Sequence, residues 1–221
     1  MIKFKPNANS KNISSVIRYK IKKMPKGKVF SIDELITRSL KTLAVNENIE
    51  LSTLKARVLR TLSRLLEAGE LRRIQNGIYY KPEYSEMFNF ELPPSIPEVI
   101  QVLAKKNHEI LQIHGGEAAN RIGLSTQMSI QASYYTNGAS REVHVAGSYV
   151  RFIHSRNKQL FQHQGTNVGV AISALNYLGK ELVSESVLSK VKTYLTEDEF
   201  CELMNSALPA WLHEKLRLST H

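Results

Sequence analysis

The chain is poor in cysteine and in long apolar runs, and both shortages exclude protein classes. A single cysteine, Cys201, excludes an intrachain disulfide and a cysteine-rich zinc site. No apolar run approaches the roughly 18 to 20 residues that a membrane-spanning helix needs. The N-terminal MIKFKPNANSKN also lacks the apolar core of a signal peptide. We therefore expect a cytoplasmic protein with no membrane partner, and the apolar pattern of FCELM predicts that Cys201 is buried.

Positive charge is present in excess, with a formal net charge of +10, and it is unevenly distributed. Residues 1–82 contain 18 Lys or Arg against 6 Asp or Glu, whereas residues 83–221 contain 12 against 14. The two parts therefore carry +12 and −2. A basic segment beside a nearly neutral one is typical of a nucleic-acid-binding module fused to a second domain. A solvated basic surface is the alternative.

The boundary between the two parts is predicted from proline. The segment KPEYSEMFNFELPPSIPE contains four prolines, which stop helices and hold the chain extended. We predict a domain over residues 1–82, a proline-rich linker over 83–97 and a second domain over 98–221. Tyr84, Phe88 and Phe90 predict that the linker packs on a domain.

The first domain is predicted to contain three helices followed by a strand pair. A first helix spans about Ser14 to Lys23. Ser31 and Glu34 form a capping box that starts a second helix at Ile32, which should run to about Leu40. A third helix runs from about Ser52 to Glu67 and is closed by Gly69. In LRRIQNGIYY, Asn76-Gly77 predicts a hairpin with a two-residue type I′ turn.

The third helix is predicted to have an apolar face and a basic face. At about 100° per residue an apolar stripe forms from Leu51, Leu54, Val58, Leu62 and Leu65. Thr53, Arg57, Arg60 and Arg64 lie nearly opposite. Three helices followed by a basic hairpin is the element order of a winged helix-turn-helix, whose third helix enters the major groove. Winged helices that bind proteins are the alternative.

Individual residues receive roles from this arrangement. Arginines at the helix centre are expected to reach base edges, while wing residues and the N-terminal lysines hold phosphates. The predicted DNA-binding residues of the recognition helix are Ser52, Thr53, Arg57, Arg60 and Arg64. Those of the wing are Arg72, Arg73, Gln75, Asn76 and Lys81.

The second half is predicted to be a mixed α+β domain with a short antiparallel sheet and a helical C-terminal part. QASYYT and REVHVA flank Asn137-Gly138, a second hairpin signal, and YVRFIHS supplies another strand. The glycines of HGGEAANRIGLSTQ permit close packing of a short helix against the sheet. Thr196 and Glu199 form another capping box, and Pro209 starts the last helix. The whole chain is therefore of the α+β class.

The residues of the second half do not indicate a catalytic or metal-binding site. His114, His144 and His154 with Glu117 are suitable types for acid–base or metal chemistry. They show neither the spacing of a helical metal-binding pair nor a nucleophile motif. We predict no enzyme activity, no metal and no cofactor.

The motif order resembles that of a known family. A basic winged helix ending in RIQNGIYYKP, followed by IHGGEAANRIGLSTQ, YYTNG and VRFIHS, is similar to the AbiEi family of antitoxins from bacterial type IV toxin–antitoxin operons, which act in phage defence. The resemblance covers most of the chain. It implies an N-terminal domain that represses its own operon by binding inverted repeats in double-stranded DNA. It also implies a C-terminal domain that counteracts a nucleotidyltransferase-like toxin, with or without direct contact.

The resemblance places antitoxin function in residues 98–221. The polar candidates in the most family-like stretch are His114, Glu117, Asn120, Arg121, Gln127, Tyr135 and Arg141. Two alternatives remain open at the level of sequence. One is an enzyme acting on nucleic acid or nucleotides with a basic delivery module, and the other is a transcriptional regulator that senses a ligand.

Overall fold

The chain folds into two compact units, each containing helices and strands. A computed structural model describes residues 13–46, 48–127, 131–145 and 147–219. The units comprise Met1–Asn107 and His108–His221. Because helices and short sheets occur together in both, the predicted α+β class is confirmed.

The first unit contains five helices and five strands within the residues described. The helices are α1 (Ile13–Lys23), α2 (Ile32–Leu35), α3 (Arg38–Asn46), α4 (Leu51–Glu67) and α5 (Ile96–Asn107). The strands are β1 (Val29–Ser31), β2 (Arg72–Gln75), β3 (Ile78–Tyr80), β4 (Glu83–Ser85) and β5 (Phe90–Leu92).

The predicted second helix is divided into two. Its start is confirmed, since Ser31 and Glu34 form both hydrogen bonds of the capping box at α2. The expected continuation to Leu40 is wrong, because Ile36 leaves the helical conformation and α3 begins two residues later. The break lets Leu35 and Ile36 both enter the core, where they are almost fully buried.

Helix α4 carries the predicted apolar face. Leu54, Val58 and Leu62 are fully buried and share a core with α1 and α3. Gly69 adopts a positive φ just beyond the helix, as a closing glycine does. Leu51 departs from the prediction, because it lies in the first turn and is half-exposed.

The three-stranded sheet of the first unit has the order β1-β3-β2. The predicted hairpin is present, but its turn is not of type I′, since only Gly77 has a positive φ. An irregularity between Arg73 and Gln75 inserts an extra residue in β2. Such bulges increase the local twist.

The predicted linker 83–97 is structured and belongs to the first unit. Its chain forms the β4–β5 hairpin and the start of α5, which packs on β1. Lys28 pairs with Glu98 at 2.5 Å, and this contact helps to hold the start of α5. The unit therefore ends ten residues beyond the predicted linker. Tyr84, Phe88 and Phe90 do not pack as expected, because all three are about half exposed or more.

The second unit contains a four-stranded sheet and five helices among its described residues. The strands are β6 (Leu111–Ile113), β7 (Ala132–Thr136), β8 (Arg141–Val145) and β9 (Ser148–His154). The helices are α6 (Gly115–Arg121), α7 (Asn167–Leu182), α8 (Glu185–Tyr194), α9 (Glu197–Met204) and α10 (Ala210–Leu218), with a 3-10 turn at Lys158–Phe161.

The sheet of the second unit is mixed and not antiparallel as predicted. Its order is β6-β7-β9-β8, and β7 pairs with β9 in parallel. The predicted hairpin at Asn137-Gly138 is therefore wrong. Strand β9 lies between the two strands that this turn connects, and β8 pairs with β9 instead.

Helix α7 forms the centre of the second core, with Val168 and Ala171 to Leu175 buried. Both hydrogen bonds of the capping box predicted at Thr196 and Glu199 are present at the start of α9. Pro209 is the residue that precedes α10. Cys201 is exposed, contrary to the prediction, because its neighbours Phe200 and Leu203 occupy the buried side of α9.

Candidate nucleic-acid interface

The net charge of the chain resides entirely in the first unit. Residues 1–107 contain 20 Lys or Arg and 10 Asp or Glu, a balance of +10. Residues 108–221 contain 10 of each and are neutral. A surface that attracts a polyanion is therefore to be sought on the first unit.

The exposed side of α4 presents two arginines that have no acidic partner among the described residues. Arg60 and Arg64 are exposed, and neither takes part in an ion pair with any residue that the structure describes. Thr53 is exposed in the first turn, and the nearby Ser52 hydroxyl donates to Glu50 at 3.2 Å. Arg57 differs from them because it is half-buried.

Thr61 shows how α4 is held so that this side remains outward. It is buried, and its hydroxyl donates to the Arg57 carbonyl oxygen at 2.9 Å. The Thr61 and Ser14 hydroxyl oxygens lie 3.2 Å apart, which connects α4 to α1. The buried stripe of Leu54, Val58 and Leu62 turns α4 towards the core, and the hydroxyl pair adds a polar contact between the two helices.

Two predicted wing cations are used inside the protein. The Lys81 ammonium donates to the carbonyl oxygens of Lys22, at 2.9 Å, and Met24, at 2.8 Å, where it caps the end of α1. Arg72 pairs with Glu91 at 2.9 Å and also donates to the Gly69 carbonyl oxygen. Both cations, which were predicted to hold phosphates, therefore have partners within the protein.

Glu91 is shared between the hairpins. Besides pairing with Arg72, it accepts a 2.7 Å hydrogen bond from the Tyr80 hydroxyl. Burial, together with this bond to a carboxylate, raises the pKa of Tyr80 to about 12. Tyr80 is therefore a hydrogen-bond donor at any physiological pH, and the Arg72–Glu91–Tyr80 set ties β5 to the first hairpin.

The remaining predicted wing residues differ in their exposure and in their contacts with the rest of the first unit. Arg73 is exposed and lies opposite Tyr79. Burial raises the pKa of Tyr79, and the positive charge of Arg73 acts in the opposite direction. The Asn76 carbonyl oxygen accepts a hydrogen bond from Lys106. Gln75 is half-buried. Arg72 and Arg73 are both exposed, and among the described residues Arg73 has no ion-pair partner whereas Arg72 pairs with Glu91.

Other cations of the first unit were outside the predicted set. Lys55 of α4 is exposed, but it does not belong to the arginine stripe by which the helix face was recognised. Lys106 reaches the wing from α5, a contact that no local pattern could indicate. Among the N-terminal lysines, Lys3, Lys5 and Lys11 lie outside the described residues.

In the second unit His114 serves as a helix cap. Its Nδ1 accepts a hydrogen bond from the Gly116 N–H at 3.2 Å at the start of α6. The ring lies 4.8 Å from that of Tyr135 and 5.5 Å from that of Tyr177. Burial lowers the pKa of His114, while Glu117 acts in the opposite direction. Both the hydrogen bond to Nδ1 and the lowered pKa favour the neutral ring.

The other predicted residues of this stretch also make contacts within the unit. Asn120 donates to the carbonyl oxygens of Ser125 and Gln127, which closes the loop after α6. Arg141 forms a bidentate pair with Glu109 at 2.8 and 2.6 Å and lies over the Phe152 ring. These contacts support the fold, as capping by His114 does.

Glu117, Arg121 and Gln127 form the more accessible part of the set. Glu117 and Arg121 pair at 3.5 Å across one turn of α6, and Arg121 is exposed. Gln127 is exposed too. Tyr135 is half-buried, and burial raises its pKa.

The described residues contain no group of three or more His, Cys, Asp or Glu that could hold a metal ion. His154 Nδ1 lies 2.7 Å from the Gly138 carbonyl oxygen, and His163 contacts Glu202 and Ser206 through its two ring nitrogens. Within the same part of the chain, no helix has the length and apolar character to cross a bilayer.

Comparison with known proteins identifies one family. A model described as a family of unknown function, DUF6088, matches residues 16–203. No curated protein and no solved structure matches the chain. The matched segment extends from α1 to the end of α9 and thus includes most of both units. The chain belongs to the DUF6088 family.

Proposed function

We propose that the first unit is a winged helix-turn-helix that binds double-stranded DNA through α4 and the β2–β3 hairpin. One observation carries the proposal. The unit that holds all the net positive charge presents Arg60 and Arg64, which form no ion pair with a described residue, on a helix followed by a basic hairpin. The element order α1, β1, α2 to α4, β2 and β3 supports it, as does the β1-β3-β2 sheet.

The contacts assign different roles to the cations. Arg60 and Arg64 are available to bases and phosphates, because arginine can donate two parallel hydrogen bonds to a guanine edge or to a phosphate. Arg73 is available to phosphates beside the wing. Arg72 and Lys81 have internal partners, so they position the wing. About four cations, with Lys55 included, imply a slope of roughly −3 to −4 in log affinity against log salt.

The biological role proposed for this binding is autorepression in a type IV toxin–antitoxin operon. The AbiEi-like motif order supports this role, and the neutral second unit fits a separate task of counteracting a nucleotidyltransferase-like toxin. The absence of a recognisable nucleophile or metal-binding pattern in the sequence favours a protein without catalytic activity. The proposed partners are operator DNA and the toxin.

The test is a mobility shift with DNA from upstream of the gene, over a salt series. The double variant Arg60→Ala/Arg64→Ala should bind ten- to hundredfold more weakly, because each arginine contact contributes about 1 kcal/mol or more. Its salt slope should fall in magnitude by about 2. The control Arg156→Ala/Lys158→Ala removes the same charge from exposed positions of the second unit and should bind as the wild type does.

Two results would count against the proposal. Equal binding by wild type and the α4 variant would remove α4 from the interface. Equal affinity for upstream and unrelated DNA would remove the autorepressor role and leave a general nucleic-acid-binding module.

A further inference from the structure

The beginning of the chain has a one-sided charge. Its first 32 residues contain nine Lys or Arg and no Asp or Glu. Solvated helices usually carry both signs, because opposite charges three or four residues apart stabilise the helix. Helix α1 has only cations, so its charges repel one another.

The structure separates α1 into a buried side and a basic side. Ile13, Ile17 and Ile21 are on the buried side, which packs in the core of the first unit. The other side and the turn that follows are exposed, and we call them the α1 basic face: Arg18, Tyr19, Lys22, Lys23 and Lys26. The Lys23 ammonium lies 5.9 Å from the centre of the Tyr19 ring.

No residue that the structure describes neutralises this face. Its four cations make no ion pair or hydrogen bond through their side chains to the described part of the chain. Arg18 and Lys22 are four residues apart, the spacing at which like charges destabilise a helix. The cations of the face therefore gain no ion pair from the described residues, although Lys22 and Lys23 lie in the last turn of α1, where the helix dipole favours a positive charge.

Other lysines of the first unit stabilise the fold by donating hydrogen bonds to backbone carbonyl oxygens. Lys20 donates to the Glu34 carbonyl oxygen at 2.9 Å, and Lys81 caps the end of α1. Because Lys81 already satisfies the carbonyl oxygens of Lys22 and Met24, the cations of the α1 basic face are not needed as caps. Arg18 also lies outside the last turn, where the helix dipole would favour a cation.

We propose that the α1 basic face is a second DNA-binding surface, which holds the phosphates of a duplex segment other than the one bound by α4. The inference rests on the proposed function, because both surfaces are proposed to bind duplex DNA. Four cations that have no ion-pair partner among the described residues, on a helix without acidic side chains, attract a phosphate backbone, and the Tyr19 hydroxyl supplies a further donor.

The α1 basic face and the exposed side of α4 are formed by different helices of the first unit. Both helices turn their apolar sides to the same core, and the Ser14 and Thr61 hydroxyls join them. The proposal assigns each exposed side a duplex segment of its own. One molecule would bridge two duplex segments or hold one that is looped. An anionic membrane is a poorer match, because Tyr19 is the only large side chain on the face that could enter a bilayer.

The test is a bridging assay with the full chain. Upstream DNA is immobilised, protein is bound to it, and capture of a fluorescent duplex of unrelated sequence is measured over a salt series. The variant Arg18→Gln/Lys22→Gln/Lys26→Gln should bind the immobilised DNA as the wild type does. It should capture about tenfold less of the second duplex, with a capture slope reduced by about 3.

The matched control Arg156→Gln/Lys158→Gln/Lys180→Gln removes three exposed charges from the second unit and should capture normally. Undiminished capture by the α1 variant would overturn the inference. Binding of the wild type to phosphatidylserine vesicles, lost in the α1 variant while its DNA capture stays normal, would overturn it in favour of a membrane.

Failure of the proposed function gives a different pattern. If the wild type does not bind upstream DNA through α4, the Arg60→Ala/Arg64→Ala variant matches the wild type on that DNA. The α1 basic face is then tested by binding of the unrelated duplex in solution. A loss of about tenfold in the α1 triple variant supports the inference, and no loss overturns it.

Discussion

His114 can cap α6 only while its ring is neutral. Its Nδ1 accepts the hydrogen bond from Gly116, so the proton of the neutral ring is on Nε2. Protonation would place a hydrogen on Nδ1 and remove the acceptor. Burial acts in the same sense, since it lowers the pKa of His114 relative to the unfolded chain.

This arrangement predicts a pH-dependent contribution to stability. Because the pKa of His114 is lowered in the folded state, the unfolded state binds more protons as the pH falls. The contribution is fully present above the unfolded pKa of about 6.5 and is lost as the pH falls through the lower folded pKa. His114→Asn keeps an acceptor at the cap without titrating, so it should reduce the loss of stability on acidification.

The measurement is the urea midpoint of wild type and His114→Asn at about pH 5 and about pH 7.5, on either side of the histidine titration. His114→Ala is the control for the cap itself and should lose about 0.5 to 2 kcal/mol at the higher pH. If the urea midpoint changes by the same amount between the two pH values in the wild type and in His114→Asn, His114 makes no such contribution.

At the scale of elements, α6 approaches α7 closely because Gly115 has no side chain. A Cβ at this position would overlap the Cβ of Tyr177 and lie 2.8 Å from the Ser173 carbonyl oxygen. Both obstacles belong to the fixed part of α7, so rotation of a side chain cannot relieve the contact. The sequence predicted a close approach at these glycines, but against the sheet, whereas the partner is a helix.

Gly115→Ala should therefore lower the free energy of unfolding by about 1 to 3 kcal/mol, as overpacking in a core does. Gly116→Ala is the matched control, because its Cβ would be 3.5 Å from His114 Nδ1, an ordinary contact. Alanine also favours the helix over glycine. Chemical denaturation of both variants tests the comparison, and equal stabilities would contradict the close packing of α6 on α7.

Features fixed by neighbouring residues could be predicted from the sequence. The capping boxes that begin α2 and α9 and the glycine after α4 depend on residues a few positions apart, and all were found. Features that depend on distant partners were missed. The turn residues Asn137-Gly138 favour a hairpin locally, yet β9 pairs with both flanking strands. The ion pair between Arg141 and Glu109 could not be predicted either, because 32 residues separate the two.

The candidate nucleic-acid interface likewise has features that could be predicted from the sequence and features that could not. The sequence indicated which helix and hairpin are basic, because that depends on composition and helical period. It could not separate cations that face solvent from those with internal partners. Arg72 and Arg73 are adjacent, but only Arg72 meets Glu91 across the second hairpin. Lys81 differs from other lysines only through the end of α1, which lies nearly sixty residues earlier.

At the scale of the whole molecule, charge and core are divided between the same two units. One unit has +10 and its own apolar core, whereas the other is neutral and has a separate core. Under the proposed function, DNA binding and counteraction of the toxin therefore depend on different parts of the chain. A charge change on α4 should affect the first activity alone.

This division predicts a separation of functions. With the adjacent reading frame expressed as the toxin, Arg60→Ala/Arg64→Ala should lose repression of an operon reporter but restore growth as well as the wild type does. Two variants of the second unit, Glu117→Ala/Arg121→Ala and Gln127→Ala, should keep repression, because they lie outside the basic unit. Growth of the co-expressing cells and reporter output are the measurements. Loss of rescue by the α4 variant would show that antitoxicity requires DNA binding.

The order of strands in the second unit also determines when that unit can be completed during synthesis. Strand β7 emerges from the ribosome before β8 and β9, yet its second neighbour is β9. Until His154 has been made, one edge of β7 has no partner strand, and β8 has none at all. Strand β9 then pairs with both β7 and β8 and lies between them. A chain stopped between Val145 and Ser148 would therefore present open strand edges of the kind that promotes aggregation.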